Sequence, residues 1–533
     1  MRKLSCTLVL LLALCAALPV RADVVLDWNA LLIDAIRAEK TNPPYASRAM
    51  ALMNVAAYDA VVGITGGYES YAEHGAAPAG ASPEAAAAAA AHHVLVTLYP
   101  SRKAQLDAAY RAVVPVGTLP PAISEGAAWG LQVAVRILAM RADDGENDVR
   151  DYAAPQGSGW WVETGPGFVP ALLPHWGGVR PWTMQSGSQF REPSPPPLTS
   201  AEYAAAFDEV YRLGGVDSTE RTADQSEIAR FWDDGAGTNT PPGHWNEILQ
   251  IVSAEQGLSL VENARLFALH GLAVADAAIV AWDHKFYYDH WRPVTGIQLA
   301  DADGNPATSP DPSWVSYITT PPFPAYTSGH SSFSGSSGRL AALFFGRDDI
   351  AFTVGSDGVP GALRHFDSFT EAAEEAGQSR IYGGIHWQYD NVLGLRSGYA
   401  LAEHVFYNYL RPLDGAQTCD PAAGHLCLQG GRFAVQASWR TNDGEQGVAT
   451  PQALSADSGT FWFFDEDNVE LTVKVLDGCA GFDRYWVFAS GLTNVEVLLT
   501  VTDTATGQVR NYLNPMGRAF RAIQDTDAFA TCQ

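Results

Sequence analysis

The stretch SRIYGGIHWQYD, Ser379 to Asp390, gathers a guanidinium, an imidazole and a carboxylate among small and aromatic residues. The helical period that follows sets His386 and Asp390 four residues apart, so the carboxylate can accept from one ring nitrogen and fix the tautomer. The other nitrogen is then free to bind a metal or attack an electrophile. Arg380, expected on the turn before that helix, offers a two-pronged donor for an oxyanion. Read alone, His386 and Asp390 could equally be a buried pair that satisfies only itself.

Two further segments carry matching chemistry. In WDHKFYYDHWRP, Lys285 and Arg292 are seven residues apart, which on one helix places them on one face about 10 Å apart along the axis. Trp282 shares that face, and Pro293 is expected to stop the helix. Two cations on an aromatic helix are costly unless an anion or carboxylate answers them. Pairing with Asp283 or Asp289 is the plainer alternative. In PPFPAYTSGHSSFSGSSGRLAALFF, Ser328-Gly329-His330 opens a helical pattern. Ser328 can cap it, and the free N–H groups there suit an anion. His330 then stands beside that anion as proton donor or acceptor. The serine does not sit in GxSxG, so a hydrolase nucleophile elbow is unsupported. Taken together, Lys285, Arg292, Arg380, Ser328 and the Gly329 N–H form a set for one dense tetrahedral oxyanion. His386 would be its apical ligand or the nucleophile.

These residues resemble the vanadium haloperoxidases, chiefly their chloroperoxidase-like members, and the related acid phosphatases of the type-2 phosphatidic acid phosphatase superfamily. The family pattern of Lys, Arg-Pro, Ser-Gly-His and Ser-Arg followed by His and Asp is met by Lys285, Arg292-Pro293, Ser328-Gly329-His330, Ser379-Arg380, His386 and Asp390. The likeness runs from Ile228 to Leu410. Thr327 departs from it, standing where the family usually has proline. The resemblance implies one vanadate per chain, its oxygens held by Lys285, Arg292, Ser328, Gly329 and Arg380, and His386 as the metal ligand. Asp390 would support His386, with His330 and Lys285 catalytic. Trp282 and Phe323 match the aromatics that flank vanadate in the chloroperoxidase-like members. FWDDGAGTNTPPGHWN resembles the stretch with an aspartate that pairs the second arginine, a role that falls to Asp234, with Asp233 its competitor. The implied reaction is oxidation of halide by hydrogen peroxide to hypohalous acid, bromide being easier than chloride, with small organic acceptors downstream. The alternative is a secreted acid phosphatase using His386 as phosphoryl-accepting nucleophile. A non-catalytic exported protein is a more distant reading.

The elements that must position these residues are helical. From Asp23 to Pro412, Ala-rich runs carry apolar residues every three or four positions, a mainly α pattern, and the resemblance implies the helical-bundle haloperoxidase/acid phosphatase fold over 23–412. Loops such as GSGWWVETGPGFVPALLPHWGGVRPW are long and Trp-rich, as loops that cover something are. DADGNPATSPD, with Pro306 in place of a calcium loop's glycine, reads as a turn. From 413 to 533, alternating apolar and polar residues between Asp/Asn/Gly turns predict a C-terminal β-sandwich.

The chain carries 59 acidic against 33 basic residues, a net charge of −26, which argues against nucleic acid or an anionic membrane as partner. Residues 1–22 read as a secretory signal cut after Ala22, with an apolar run too short to span a bilayer. No later stretch reads as a membrane span. A secreted or periplasmic location is therefore expected. Beyond that leader four cysteines remain, Cys419, Cys427, Cys479 and Cys532, enough for two disulfides in an exported protein. Cys419–Cys427 with Cys479–Cys532 is one of three connectivities. Oligomeric state and halide preference are left open by the sequence.

Overall fold

The structure, a computed structural model, describes residues 23–73, 75–413 and 419–532. The expected leader, residues 1–22, lies outside the described residues. The helix Leu260–Tyr288 runs through the middle of the helical part and is apolar on all sides, so it must be enclosed. Leu266, Phe267, Leu269, Leu272 and Ile279 are fully or almost fully buried, each contributing about 1.5–3 kcal/mol of transfer free energy. By length and apolarity this helix could cross a membrane, which corrects the sequence expectation. Its apolar window is instead wholly covered by protein.

Small residues set how closely the other helices approach. In Pro83–Leu98 the run Ala85–Ala91 is entirely buried. Gly130, on Pro121–Met140, lies so near it that an added Cβ would sit 2.0 Å from the Ala86 carbonyl oxygen. The same device joins Gly329–Phe345 to Gln388–Asn408. A Cβ at Gly335 would meet Leu395 O at 2.6 Å, and one at Gly398 would meet Ser332 O at 2.6 Å. That intimacy lets the Ser328 N–H donate to the Asp390 carbonyl at 3.0 Å, tying the two helix starts together.

Helix ends differ from the sequence reading in three places. Leu260–Tyr288 stops before Pro293: Asp289 is left-handed (φ 46°) and caps it, while Pro293 begins a new short helix to Gln298. Lys285 and Arg292 therefore meet across a turn and not along one helical face. Arg380 lies in the last turn of Phe369–Tyr382, not on the turn after it. Finally, Gln388–Asn408 begins after His386, so the His386–Asp390 contact belongs to a helix cap and not to a helical face.

Between Met140 and Ala201 the long loop is bolted to the central helix. Buried Asp276 accepts from the N–H groups of Trp182 and Thr183 and the Thr183 hydroxyl. Asp283 takes both prongs of Arg191 at 2.7 Å. The loop at Asp303 closes on itself as a turn, Asp303 accepting from the Asn305 N–H and the Thr308 hydroxyl.

This part also holds a short antiparallel strand pair, Phe352–Gly355 with Leu363–Phe366; its described helices end at Asn408, and the strands of the next part begin at Leu426. Two five-stranded antiparallel sheets follow. Phe433, Val435, Val497, Leu499 and Val501 of one sheet pack against Phe461, Val473, Val475 and Val487 of the other, making a sandwich core. Cys419–Cys427 and Cys479–Cys532 are the disulfides formed. The sandwich docks on Gln388–Asn408, where Asn511 donates to Asn408 Oδ1 and to the Tyr407 carbonyl.

Candidate active site

The residues singled out in the sequence converge. Asp390 is the third residue of its helix, and its Oδ2 accepts from the Trp387 N–H at 3.0 Å and from His386 Nδ1 at 2.9 Å. The imidazole proton is thereby held on Nδ1, leaving Nε2 with a lone pair. Arg292 Nη1 donates to that lone pair at 3.0 Å and to the Ile385 carbonyl at 2.7 Å. Arg292 Nε donates to the Phe323 carbonyl at 2.8 Å. Arg380 Nη1 donates to the Trp232 carbonyl at 2.7 Å. Ser328 caps its helix, its Oγ accepting from the Ser331 N–H. Gly329 has open room beside it, a Cβ there meeting only Trp282 at 3.8 Å.

Lys285 is fully buried, and its ammonium is spent on protein. It donates to the carbonyls of Pro324, Ala325 and Thr327 at 3.0, 3.1 and 2.6 Å. It thus brings charge to the site and shapes the Pro324–Thr327 turn. Phe323 lies under both cations, with Lys285 Nζ and Arg292 Cζ each 4.9 Å from its ring centre. Trp282 tilts against Phe323 at 5.1 Å and donates its indole N–H to the Leu172 carbonyl. The Trp-rich loop therefore covers the aromatic side of the site. Neither Asp283 nor Asp289 answers Lys285: the first holds Arg191, the second accepts from the Tyr152 hydroxyl.

One assignment is corrected. The carboxylate at ion-pair distance from Arg380 is Asp233, at 3.5 Å, and not Asp234. Asp234 has a left-handed backbone (φ 39°), which turns its side chain inward, where both oxygens face His244 Nδ1 at 3.1 and 3.3 Å. Two neighbours were missed altogether. His284, next to Lys285, accepts from the Glu192 N–H, and Glu192 sits in the long loop. A histidine beside the key lysine was a visible signal; its partner, 92 residues away, was not.

The electrostatics show a site short of negative charge. Burial, and then Arg292, hold the Lys285 ammonium well below its usual range. Burial pushes Arg292 down to about 9 and lowers Arg380. Burial and then the three cations depress His386. His330 is held down by burial and then by Arg380. Burial raises Asp390 to about 7 and raises Asp233, so the carboxylates answer the cations weakly. Arg292 Nη2, Arg380 Nε and His330 Nε2 are buried without a hydrogen-bond partner among the described residues. Unpaired buried polar groups of this kind cost about 1–3 kcal/mol each, more when charged. A multiply charged oxyanion fits this donor set: it would satisfy the arginine N–H groups and relieve the crowded positive charge.

A crystal structure of a bacterial vanadium-dependent iodoperoxidase is 30% identical to this chain with a TM-score of 0.65, covering 75% of this chain and 99% of the other. The chain belongs to the vanadium-dependent haloperoxidases. Residues 265–415 also match the family described as the VCPO second helical-bundle domain. The vanadium chloroperoxidase of Curvularia inaequalis is 30% identical over 261 residues, 37% of this chain and 42% of that protein. This match thus spans less than half of that chloroperoxidase. A bacterial vanadium-dependent chloroperoxidase in its holo form, at 18% identity and a TM-score of 0.53, shares the haloperoxidase fold over 72% of this chain and 92% of its own.

Proposed function

We propose that this chain oxidises halide with hydrogen peroxide, using one vanadate per chain. Peroxide is reduced to water while halide and one proton are taken up into hypohalous acid, which then halogenates small organic acceptors. The observation that carries the reading is the gathering of three buried cations around His386, Arg292 in hydrogen-bond contact and Lys285 and Arg380 near enough for their charge to depress it, with arginine donors left unpaired in the interior. When bound, vanadate supplies Lewis acidity toward peroxide without a change of oxidation state.

The residues present have distinct parts in this reading. His386 Nε2 would be the metal ligand, its lone pair aimed by Asp390. Arg292, Arg380, Ser328 and the Gly329 N–H would hold the oxygens, and Asp233 steadies Arg380. His330, neutral through burial, accepts the peroxide proton. Trp282 and Phe323 keep the halide side dry, where electrostatic effects are strongest. We also propose export of the chain, which its two disulfides support. A functional division near residue 412 accords with the change from helices to strands.

The test is bromination of a phenol-red-type dye by dialysed protein with peroxide, with and without added vanadate. Iodide is included because the bacterial relative is an iodoperoxidase. Activity is expected only after vanadate is added. Turnover of p-nitrophenyl phosphate that vanadate inhibits, with no halide oxidation, would replace this reading by the phosphatase one.

A further inference from the structure

A second network runs from the sandwich to the turn that carries Ser328, and Glu192 is its hub. The Glu192 side chain is 3% exposed. It accepts from both prongs of Arg396, on Gln388–Asn408, and from Arg518 of the sandwich at 3.3 and 3.4 Å. The Glu192 N–H donates to His284 Nε2 at 2.7 Å, and its carbonyl accepts from the Tyr288 hydroxyl at 2.7 Å. With Nε2 an acceptor, the His284 proton stands on Nδ1, which donates to Thr327 Oγ1 at 3.2 Å. Thr327 O is the closest of the three carbonyls that receive Lys285. Beside it, the Tyr326 hydroxyl donates to the Pro193 carbonyl.

This arrangement is more than scaffolding in general. Every link is directional, and it ends on the residue before Ser328 and on the lysine whose charge the site uses. It also reaches beyond the family match, which ends at residue 415. A cavity of 820 Å³ between helices and sandwich is walled in part by Glu192, His404, Tyr512 and Arg518. Arg518 thus borders open space, and its side chain, 38% exposed, can be shortened without emptying a packed core.

We propose that Glu192, His284 and Thr327 are positioning residues for Lys285 and Ser328, and that the sandwich tightens this strap through Arg518. The inference rests on the haloperoxidase reading of those two residues. It explains why a module without catalytic side chains is docked beside the catalytic helices: the sandwich holds the oxyanion turn in register.

Two measurements on the full chain decide it. The first is affinity for inorganic vanadate by equilibrium dialysis, with the Michaelis constant for peroxide and kcat determined separately. Thr327→Val should weaken vanadate about fivefold, as loss of one hydrogen bond would. Thr327→Ser should restore it, and Arg518→Ala should weaken it about two- to threefold, in keeping with a half-exposed ion pair. The second is hydrogen exchange followed by mass spectrometry. Arg518→Ala should speed exchange in the peptide covering residues 324–332 while strand Leu471–Asp477 stays protected. Unchanged exchange in that peptide overturns the strap, whatever the vanadate result. A wild-type chain that binds no vanadate overturns the functional reading, and the exchange experiment then judges the strap alone.

Discussion

At the scale of single residues, the site depends on which nitrogen of each imidazole carries a proton. Asp390 keeps the His386 proton on Nδ1, so Nε2 can act as a ligand. His386→Ala is therefore expected to abolish vanadate retention, measured as protein-bound vanadium after dialysis. His330→Ala should keep vanadium but lower kcat by roughly 10²–10⁴, the usual range for a lost acid–base group. Away from the site, His270 is buried on the central helix with Ser337 as partner, and burial pushes it down to about 3. Its folded form is neutral, whereas the unfolded chain takes a proton near pH 6.5. Its stabilising contribution is thus complete above pH 6.5 and lost as pH falls from there toward about 3. Urea unfolding between pH 6.5 and 4 should show this as a slope, to which His270 adds up to about 1.4 kcal/mol per pH unit. His270→Gln should flatten that slope.

At the scale of elements, glycines and alanines decide how near two helices come, and that nearness aligns Ser328 with Asp390. Gly130 is the sharpest case, its absent Cβ only 2.0 Å from a backbone oxygen. Gly130→Ala should cost about 1–3 kcal/mol by overpacking, read as a lowered thermal midpoint. Gly178→Ala, at a position with nothing within 4 Å, is the control and should leave the midpoint unchanged. Elements also show where sequence reading went astray. The aromatic run Phe286–Tyr288 continues the helical period of the residues before it, so Pro293 looked like the stop. The chain ended the helix earlier by putting Asp289 in the left-handed region, which one aspartate does not announce.

At the scale of the molecule, a helical catalytic part and a strand-built part are joined by a docked face and not by a linker alone. The sandwich is closed by Cys479–Cys532, a loop of 53 residues. Restricting a loop of that length in the unfolded chain is worth about 4 kcal/mol. Cys479→Ser should therefore lower the unfolding midpoint of the strand signal by circular dichroism and leave the helical midpoint in place. A single shared midpoint that falls for both would mean that the two parts unfold together.

What the sequence determined by itself is whatever local spacing encodes. The His386–Asp390 pair, the Ser328 cap and the change from helical to alternating pattern near residue 412 all lie within short reach along the chain, whereas the choice among three disulfide connectivities came from the structure. The tertiary structure decided the rest: that Asp233 and not Asp234 meets Arg380, that the Lys285 ammonium is taken by three carbonyls, and that Glu192 reaches His284. Each depends on a backbone sign at one residue or on groups tens to hundreds of residues apart. Residue type and spacing carry no record of such directions, because distant packing sets them.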